Sequence, residues 1–139
     1  MIEYKVSPKK NPINKEVKYY AQSVTPKVVN LDAVIKNIEK TTSLSSADVK
    51  ACLDALQYEF IENLKHGRSV RLGDVGSFRT SVQSSGALSE DEFSVAHIKN
   101  VKVVFSPSGK LRKSLQPNAD GVSFQRVQFD EKEQETEEA

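Results

Sequence analysis

The chain has 139 residues, of which 37% are hydrophobic and 7% aromatic, with no tryptophan and a formal net charge of +1. This length fits one domain with terminal extensions, and the low apolar fraction predicts either self-association or disordered ends. The single cysteine, Cys52, excludes an intrachain disulfide, and no apolar run is long enough to span a membrane or to form a signal peptide. We therefore expect a cytoplasmic protein that does not associate with membranes.

The charges are distributed unevenly. Residues 130–139 contain six acidic and one basic side chain, so the preceding 129 residues contain 19 basic and 13 acidic side chains and carry a net charge of +6. A basic body with an acidic tail is common in nucleic-acid-binding proteins, in which the tail competes with phosphate for the basic surface. The alternative is an acidic disordered tail that only keeps the protein soluble.

Residues 1–29 are expected to form an N-terminal extension with edge strands. Residues 1–6 alternate at the period of a strand, and Pro8 and Pro12 are expected to break this pattern within a lysine-rich stretch. Residues 17–21 form a second candidate strand.

Two amphipathic helices follow. Asn30 is the predicted N-cap of the first helix, and Ser45 with Asp48 predicts a capping box for the second, which extends from about Ser46 to Lys65. The second helix has more apolar surface than the first can cover, so either a second chain or the chain's own sheet must pack against it. We expect Cys52, which lies on this apolar face, to be buried.

Residues 67–79 indicate a strand, a tight glycine turn and a second strand. Val70 and Leu72 alternate with Arg71, and glycines at 73 and 76 accept the positive φ angles of a sharp reversal. The second strand is expected to continue through residues 80–82. Four further segments follow in order: a polar, partly acidic loop at 83–92, a strand at 101–105, a short helix at 109–115 with Ser108 as its N-cap, and a strand at 122–129 whose partner is an N-terminal strand.

The sequence contains no recognisable catalytic or metal-binding pattern. His66 and His97 lack further ligands at metal-binding spacing, and Gly109-Lys110 lacks the other residues of a phosphate-binding loop. We expect neither an enzyme nor a protein with a metal or cofactor.

The order of these elements resembles the HU / integration host factor family of DNA-bending nucleoid proteins. Two motifs carry the resemblance over about residues 30–116. The family's Val-x-Leu…Gly-x-Phe hairpin is matched by Val70, Leu72, Gly76 and Phe78. Its Phe-x-Pro-Gly-Lys junction is approximated by Phe105, Pro107, Gly109 and Lys110, with Ser108 as one extra residue.

The resemblance implies an α+β fold with two N-terminal helices, a three-stranded β-saddle with a β-arm, and a short C-terminal helix, to which this chain adds terminal strands. It divides the chain into residues 1–29, an HU-like domain at 30–116, a C-terminal strand at 117–129 and the acidic tail at 130–139. It also implies a homodimer whose shared core contains Leu53, Leu56, Phe60, Leu64 and Phe78.

The implied function is sequence-nonspecific binding of double-stranded DNA by a histone-like protein that condenses DNA in the nucleoid. The basic side chains expected to contact the DNA backbone flank the hairpin, lie on the returning strand, or begin the last helix, whose N-terminus favours phosphate. They are Arg68, Arg71, Arg79, Lys99, Lys102, Lys110, Arg112 and Lys113.

The predicted arm departs from the family pattern. Residues 81–100 contain neither the arginines nor the tip proline that is typical of the family, and they include three consecutive acidic residues at 90–92. Leu88 or Phe93 is a candidate apolar wedge, although we expect Phe93 to be buried in the sheet. Strong bending is therefore not expected. The alternative function is an HU-like protein-interaction or structural module that has lost its grip on DNA and binds a protein partner at its terminal strands.

Overall fold

The computed structural model describes residues 1–128, so Phe129 and the predicted tail at 130–139 lie outside the described residues. The described residues form an α+β fold with two three-stranded sheets. Its elements are β1 (Ile2–Lys10), β2 (Val17–Ser23), α1 (Leu31–Thr41), α2 (Ser46–Lys65), β3 (Val70–Leu72), β4 (Gly76–Ser84), a 3₁₀ turn (Val95–His97), β5 (Ile98–Pro107), α3 (Gly109–Ser114) and β6 (Phe124–Arg126). Within residues 1–128, no helix is both long and apolar enough to cross a membrane.

The chain divides into two units. One contains Val29–Ser114, with the helices and the β3-β4-β5 sheet; we call it the central unit. The other contains Met1–Val28 and residues 115–128, with the β2-β1-β6 sheet; we call it the terminal unit.

The helices begin and end where local signals predict. The hydroxyl of Ser45 accepts a hydrogen bond from the backbone N–H of Asp48 at 3.2 Å, and the Asp48 carboxylate accepts one from the N–H of Ser45 at 3.4 Å, so the predicted capping box starts α2. Gly67, with φ of 72°, donates its N–H to the carbonyl of Leu64 at 3.0 Å and ends the helix. Asn30 occupies the N-cap position of α1 without a side-chain capping bond.

In the central unit, β4 pairs antiparallel with both β3 and β5. The register places Val70 opposite Phe78, and Phe78 opposite Phe105, on one face of the sheet. The ring of Phe78 lies 4.7 Å from those of both Phe60, on α2, and Phe105. These aromatic contacts fix α2 against the sheet.

The apolar interior of the central unit is small. Ile35 and Val49, where α1 meets α2, are the hydrophobic side chains of residues 1–128 that are buried. Cys52, predicted to be buried on the same apolar face, is exposed, because α1 covers only part of α2. Much apolar surface therefore remains uncovered in the single chain.

The terminal unit corrects two strand predictions. The strand does not break at Pro8, which lies within β1, and β1 is the central strand of its sheet and not an edge. The proline is tolerated because β6 pairs only with Ile2–Tyr4, which leaves β1 a single neighbour, β2, at Pro8. The last strand pairs with an N-terminal strand as predicted, although it is limited to Phe124–Arg126.

Candidate nucleic-acid interface

The two sequence motifs of the central unit meet at the turn between β3 and β4. The turn closes through a hydrogen bond of 2.9 Å from the N–H of Val75 to the carbonyl of Leu72. Ser108 donates its N–H to the carbonyl of Val75 at 3.1 Å and its hydroxyl to the carbonyl of Asp74. The extra residue in the junction motif thus ties the start of α3 to the hairpin turn.

Ser108 also caps α3. Its hydroxyl accepts the N–H of Leu111 at 3.0 Å, and its carbonyl accepts the N–H of Arg112 at 3.0 Å. The first N–H groups of this six-residue helix are thereby partly satisfied within the chain. The phosphate site expected at this helix N-terminus stays a prediction.

The strand register collects three of the predicted DNA-contacting side chains on one face of the sheet. Arg71 pairs with Ser77, Arg79 with Val104, and Lys102 with Ser81, and directly paired residues of an antiparallel sheet lie on the same face. We call this surface the basic face. It lies opposite the face that carries Phe78 and Phe105.

Hydroxyl groups accompany the cations of the basic face. Ser77 pairs with both Arg71 and Ser106, and the Nε of Arg71 donates a hydrogen bond of 3.4 Å to the hydroxyl of Ser77. Arginine, lysine and serine side chains are common donors to phosphate oxygens. The basic face is therefore chemically suited to a phosphate backbone.

Lys110 is partly neutralised at the edge of this region. Its Nζ lies 3.2 Å from a carboxylate oxygen of Asp74, and about three quarters of each side chain is exposed. An exposed pair of this kind contributes about 0–1 kcal/mol to stability. Lys110 lines a surface hollow together with Arg71 and Arg112. Sequence reasoning missed the role of Asp74, because no local signal relates it to a lysine 36 residues later.

The other predicted contact residues are dispersed. Arg68 lies in the turn between α2 and β3, and Lys113 lies in the last turn of α3. Lys99 lies where the register between β4 and β5 shifts, since Gln83 pairs with Asn100 and Ser84 with Ile98. They stay predictions as DNA contacts.

The arm formed by β4 and β5 ends in an irregular tip at residues 85–97. The N–H of Ser85 donates to the carbonyl of His97 at 2.9 Å, and the ring of Phe93 stacks on His97 with 5.2 Å between centroids. Phe93 is 44% exposed, so the expectation that it is buried in the sheet is wrong; its partner is the tip histidine. Leu88 is 97% exposed, and the acidic residues at 90–92 are also exposed.

The residues predicted for a dimer core line the partly covered side of α2 and the sheet. Leu53, Phe60, Leu64 and Phe78 are half-buried in the single chain, and Leu56 is 42% exposed. Residues 1–128 contain no cluster of three or more potential metal ligands.

Comparisons with known proteins place the chain in a family. Residues 1–126 match the HU-HIG family model, described as an HU domain fused to a winged helix-turn-helix, Ig, or glycine-rich motif. The chain therefore belongs to this HU-like family, which confirms the resemblance inferred from the hairpin and junction motifs. The match includes the N-terminal strands as well as the central unit.

Solved structures show a related fold. A crystal structure from Bacteroides vulgatus ATCC 8482, described as a "Putative bacterial DNA binding protein", superposes with a TM-score of 0.61 at 9% sequence identity. The match covers 91% of the present chain and 48% of that chain, so this chain spans about half the length of its structural relative. No curated protein sequence matches the chain.

Proposed function

We propose that the protein binds double-stranded DNA without sequence preference, as a nucleoid-associated, histone-like dimer that contacts the phosphate backbone. The observation that carries this proposal is the alignment of Arg71, Arg79 and Lys102 on the basic face. Membership of an HU-like family and the description of the structural relative as a DNA-binding protein support it. The same comparisons favour an architectural protein over an enzyme.

The composition of the basic face favours backbone contact over base reading. Its cations and serine hydroxyls suit phosphate oxygens, and these contacts carry no sequence information directly. Apolar side chains are left exposed on the opposite face and on α2. This exposed apolar surface supports the proposal that a second chain packs against it.

We further propose that binding does not bend DNA strongly. The three exposed acidic residues at the arm tip repel phosphate where typical family members place arginines and a wedging proline. In this proposal the DNA contacts the base of the arm, and the arm tip does not distort the duplex.

A salt titration tests DNA binding. Fluorescence anisotropy with a random-sequence duplex should give an affinity that falls linearly with the logarithm of salt concentration, because phosphate contacts release counterions. Arg79→Glu/Lys102→Glu should abolish measurable binding at moderate salt. Lys36→Glu, on the exposed surface of α1, is the control and should bind nearly as well as the wild type.

Two results would contradict the proposal. One is the absence of binding by the wild-type protein even at low salt, and the other is an affinity that does not depend on salt. Equal DNA binding by the control and by the double variant would exclude the basic face as the surface that contacts DNA.

The second candidate function is a protein-interaction module on an HU-like scaffold. The Asp74–Lys110 ion pair and the acidic tip favour it, because both reduce the positive potential of the central unit. An affinity purification that recovers a specific partner, equally well with Arg71→Glu and with the wild type, would support this function over DNA binding.

A further inference from the structure

The most basic part of the described chain lies outside the HU-like motifs. Residues 1–28 contain six lysines and two acidic residues, a net charge of +4. Residues 29–114 are three times as long and carry a net charge of only +2. None of the predicted DNA contacts lies in residues 1–28.

The hairpin of β1 and β2 places two of its lysines directly opposite each other on one face, while Lys10, paired with Val17, lies on the other face. The register pairs Lys9 with Lys18 and Ser7 with Tyr20, which places these four side chains on one face of the sheet. The opposite face carries apolar pairs, Val6 with Ala21 and Pro8 with Tyr19. We call the first surface the lysine face; Lys5, paired with Gln22, also belongs to it.

The lysine face contains a directly opposed pair of like charges. Cross-strand pairs of like charge destabilise a sheet, and within residues 1–128 neither Lys9 nor Lys18 forms an ion pair with a carboxylate. The two lysines line an open hollow at the turn end of the hairpin, which also contains Tyr20 and one acidic residue, Glu16. An anion bound between the two ammonium groups would relieve their repulsion.

The position of Tyr20 distinguishes between kinds of nucleic acid. The Nζ of Lys9 lies 5.7 Å from the centroid of the Tyr20 ring, so the ring face is engaged by an ammonium group. Proteins that bind single strands stack bases on open aromatic faces, and one face of this ring is already in contact with Lys9. Tyr20 is 47% exposed, and its hydroxyl remains a donor for phosphate.

We propose that the lysine face is a second binding site for the phosphate backbone of duplex DNA, formed by Lys9, Lys18 and Tyr20. The proposal takes duplex DNA as its ligand from the proposed function and adds a surface in a different unit of the chain. The protein then contacts DNA through two separate sets of cations, one in each unit.

Charge-neutralising variants of the full chain test this site. Lys9→Gln/Lys18→Gln should lower the slope of log affinity against log salt by about 2 and weaken duplex binding about tenfold near 0.1 M salt, because each lost lysine–phosphate contact lowers the slope by about 1. Lys27→Gln/Lys40→Gln removes the same charge elsewhere, from the segment after β2 and from the exposed last turn of α1, and should change affinity less than about threefold.

The lysine face and the basic face are separate proposals, and each can be contradicted without the other. If the wild type does not bind duplex DNA at low salt, both proposals fail. If Arg79→Glu/Lys102→Glu abolishes binding while the two lysine double variants behave alike, only the lysine face is overturned. A larger loss on a single-stranded oligonucleotide than on the duplex would also overturn it, since it would indicate a single-strand site.

Protein stability provides an internal check. Lys9→Gln/Lys18→Gln relieves the repulsion between the two lysines but also removes the contact of Lys9 with Tyr20, so its melting temperature should lie close to that of the wild type. If this variant melts at a lower temperature, Lys18→Gln alone is used, and it should lower the salt slope by about 1; an unchanged slope would contradict the site.

Discussion

At Gly76 the backbone of β4 closely approaches β5. The φ of this glycine is 151°, and a Cβ added there would press on the Ser106 carbonyl oxygen and lie 2.7 Å from Cε2 of Phe105. Gly76→Ala should therefore destabilise the protein by about 2 kcal/mol or more, through backbone strain and displacement of Phe105. Urea unfolding at a fixed protein concentration measures the change.

A second glycine supplies the control. Gly86 has an ordinary φ, and nothing lies within 4 Å of a Cβ added to it. Gly86→Ala should be neutral or slightly stabilising. Equal unfolding midpoints for the two variants would show that the close approach at Gly76 does not constrain the sheet.

The arm formed by β4 and β5 carries the acidic tip on which the proposed weak bending rests. Replacing its acidic tip with Glu90→Gln/Asp91→Asn/Glu92→Gln should raise duplex affinity at low salt, because a like-charge barrier to phosphate is removed.

Energy transfer between dyes at the two ends of a short duplex measures bending, and it should change little when the wild type binds. Large wild-type bending, reduced by Leu88→Ala but not by Val95→Ala at another exposed tip position, would show that Leu88 wedges between bases and contradict the proposal of weak bending.

At the level of elements, local sequence signals are sufficient to predict the bounds of α2. Strand pairing and the contacts of side chains in the arm tip cannot be predicted in this way. The capping box and Gly67 fix α2 to Ser46–Lys65, because cap and turn signals act over a few residues. Pro8 misled the strand prediction, because tolerance of a proline depends on whether a neighbouring strand pairs at that residue. The contact of Phe93 with His97 depends on the fold of the tip, which alternation in the sequence does not encode.

The residues of the candidate site could also be predicted only in part from local sequence. Alternation along the hairpin and the returning strand is enough to place Arg71, Arg79 and Lys102 on strands, but their common face requires the register between those strands. The opposition of Lys9 and Lys18 also depends on register. Sequence reasoning therefore identifies the basic segments but not which of their side chains lie together on one face of a sheet.

At the scale of the whole molecule, the exposed apolar surface leads to a prediction about association. Val82, Val101 and Val103 are each more than half exposed on the sheet face that carries Phe78. If a second chain covers this face and α2, the midpoint of thermal unfolding should rise with protein concentration. Light scattering after gel filtration should give the mass of a dimer.

Substitutions on α2 locate the interface. Leu56→Lys should produce a monomer, because it places a charge on the predicted dimer side of the helix. Tyr58→Lys is the control: Tyr58 is 65% exposed and, by helical periodicity, lies on the other side. A wild-type monomer, or dimers with both variants, would contradict the predicted dimer core.

The pairing of β1 with β6 has a consequence for the order in which the protein forms during synthesis. Ile2 pairs with Phe124, so nearly the whole described chain separates two strands that lie side by side, and the central unit is inserted between the two parts of the terminal unit. On the ribosome, the β1–β2 hairpin and the central unit can form as they emerge, since each depends on nearby sequence. The third strand of the terminal sheet emerges last, and until then the edge of β1 at Ile2–Tyr4 remains open to other chains.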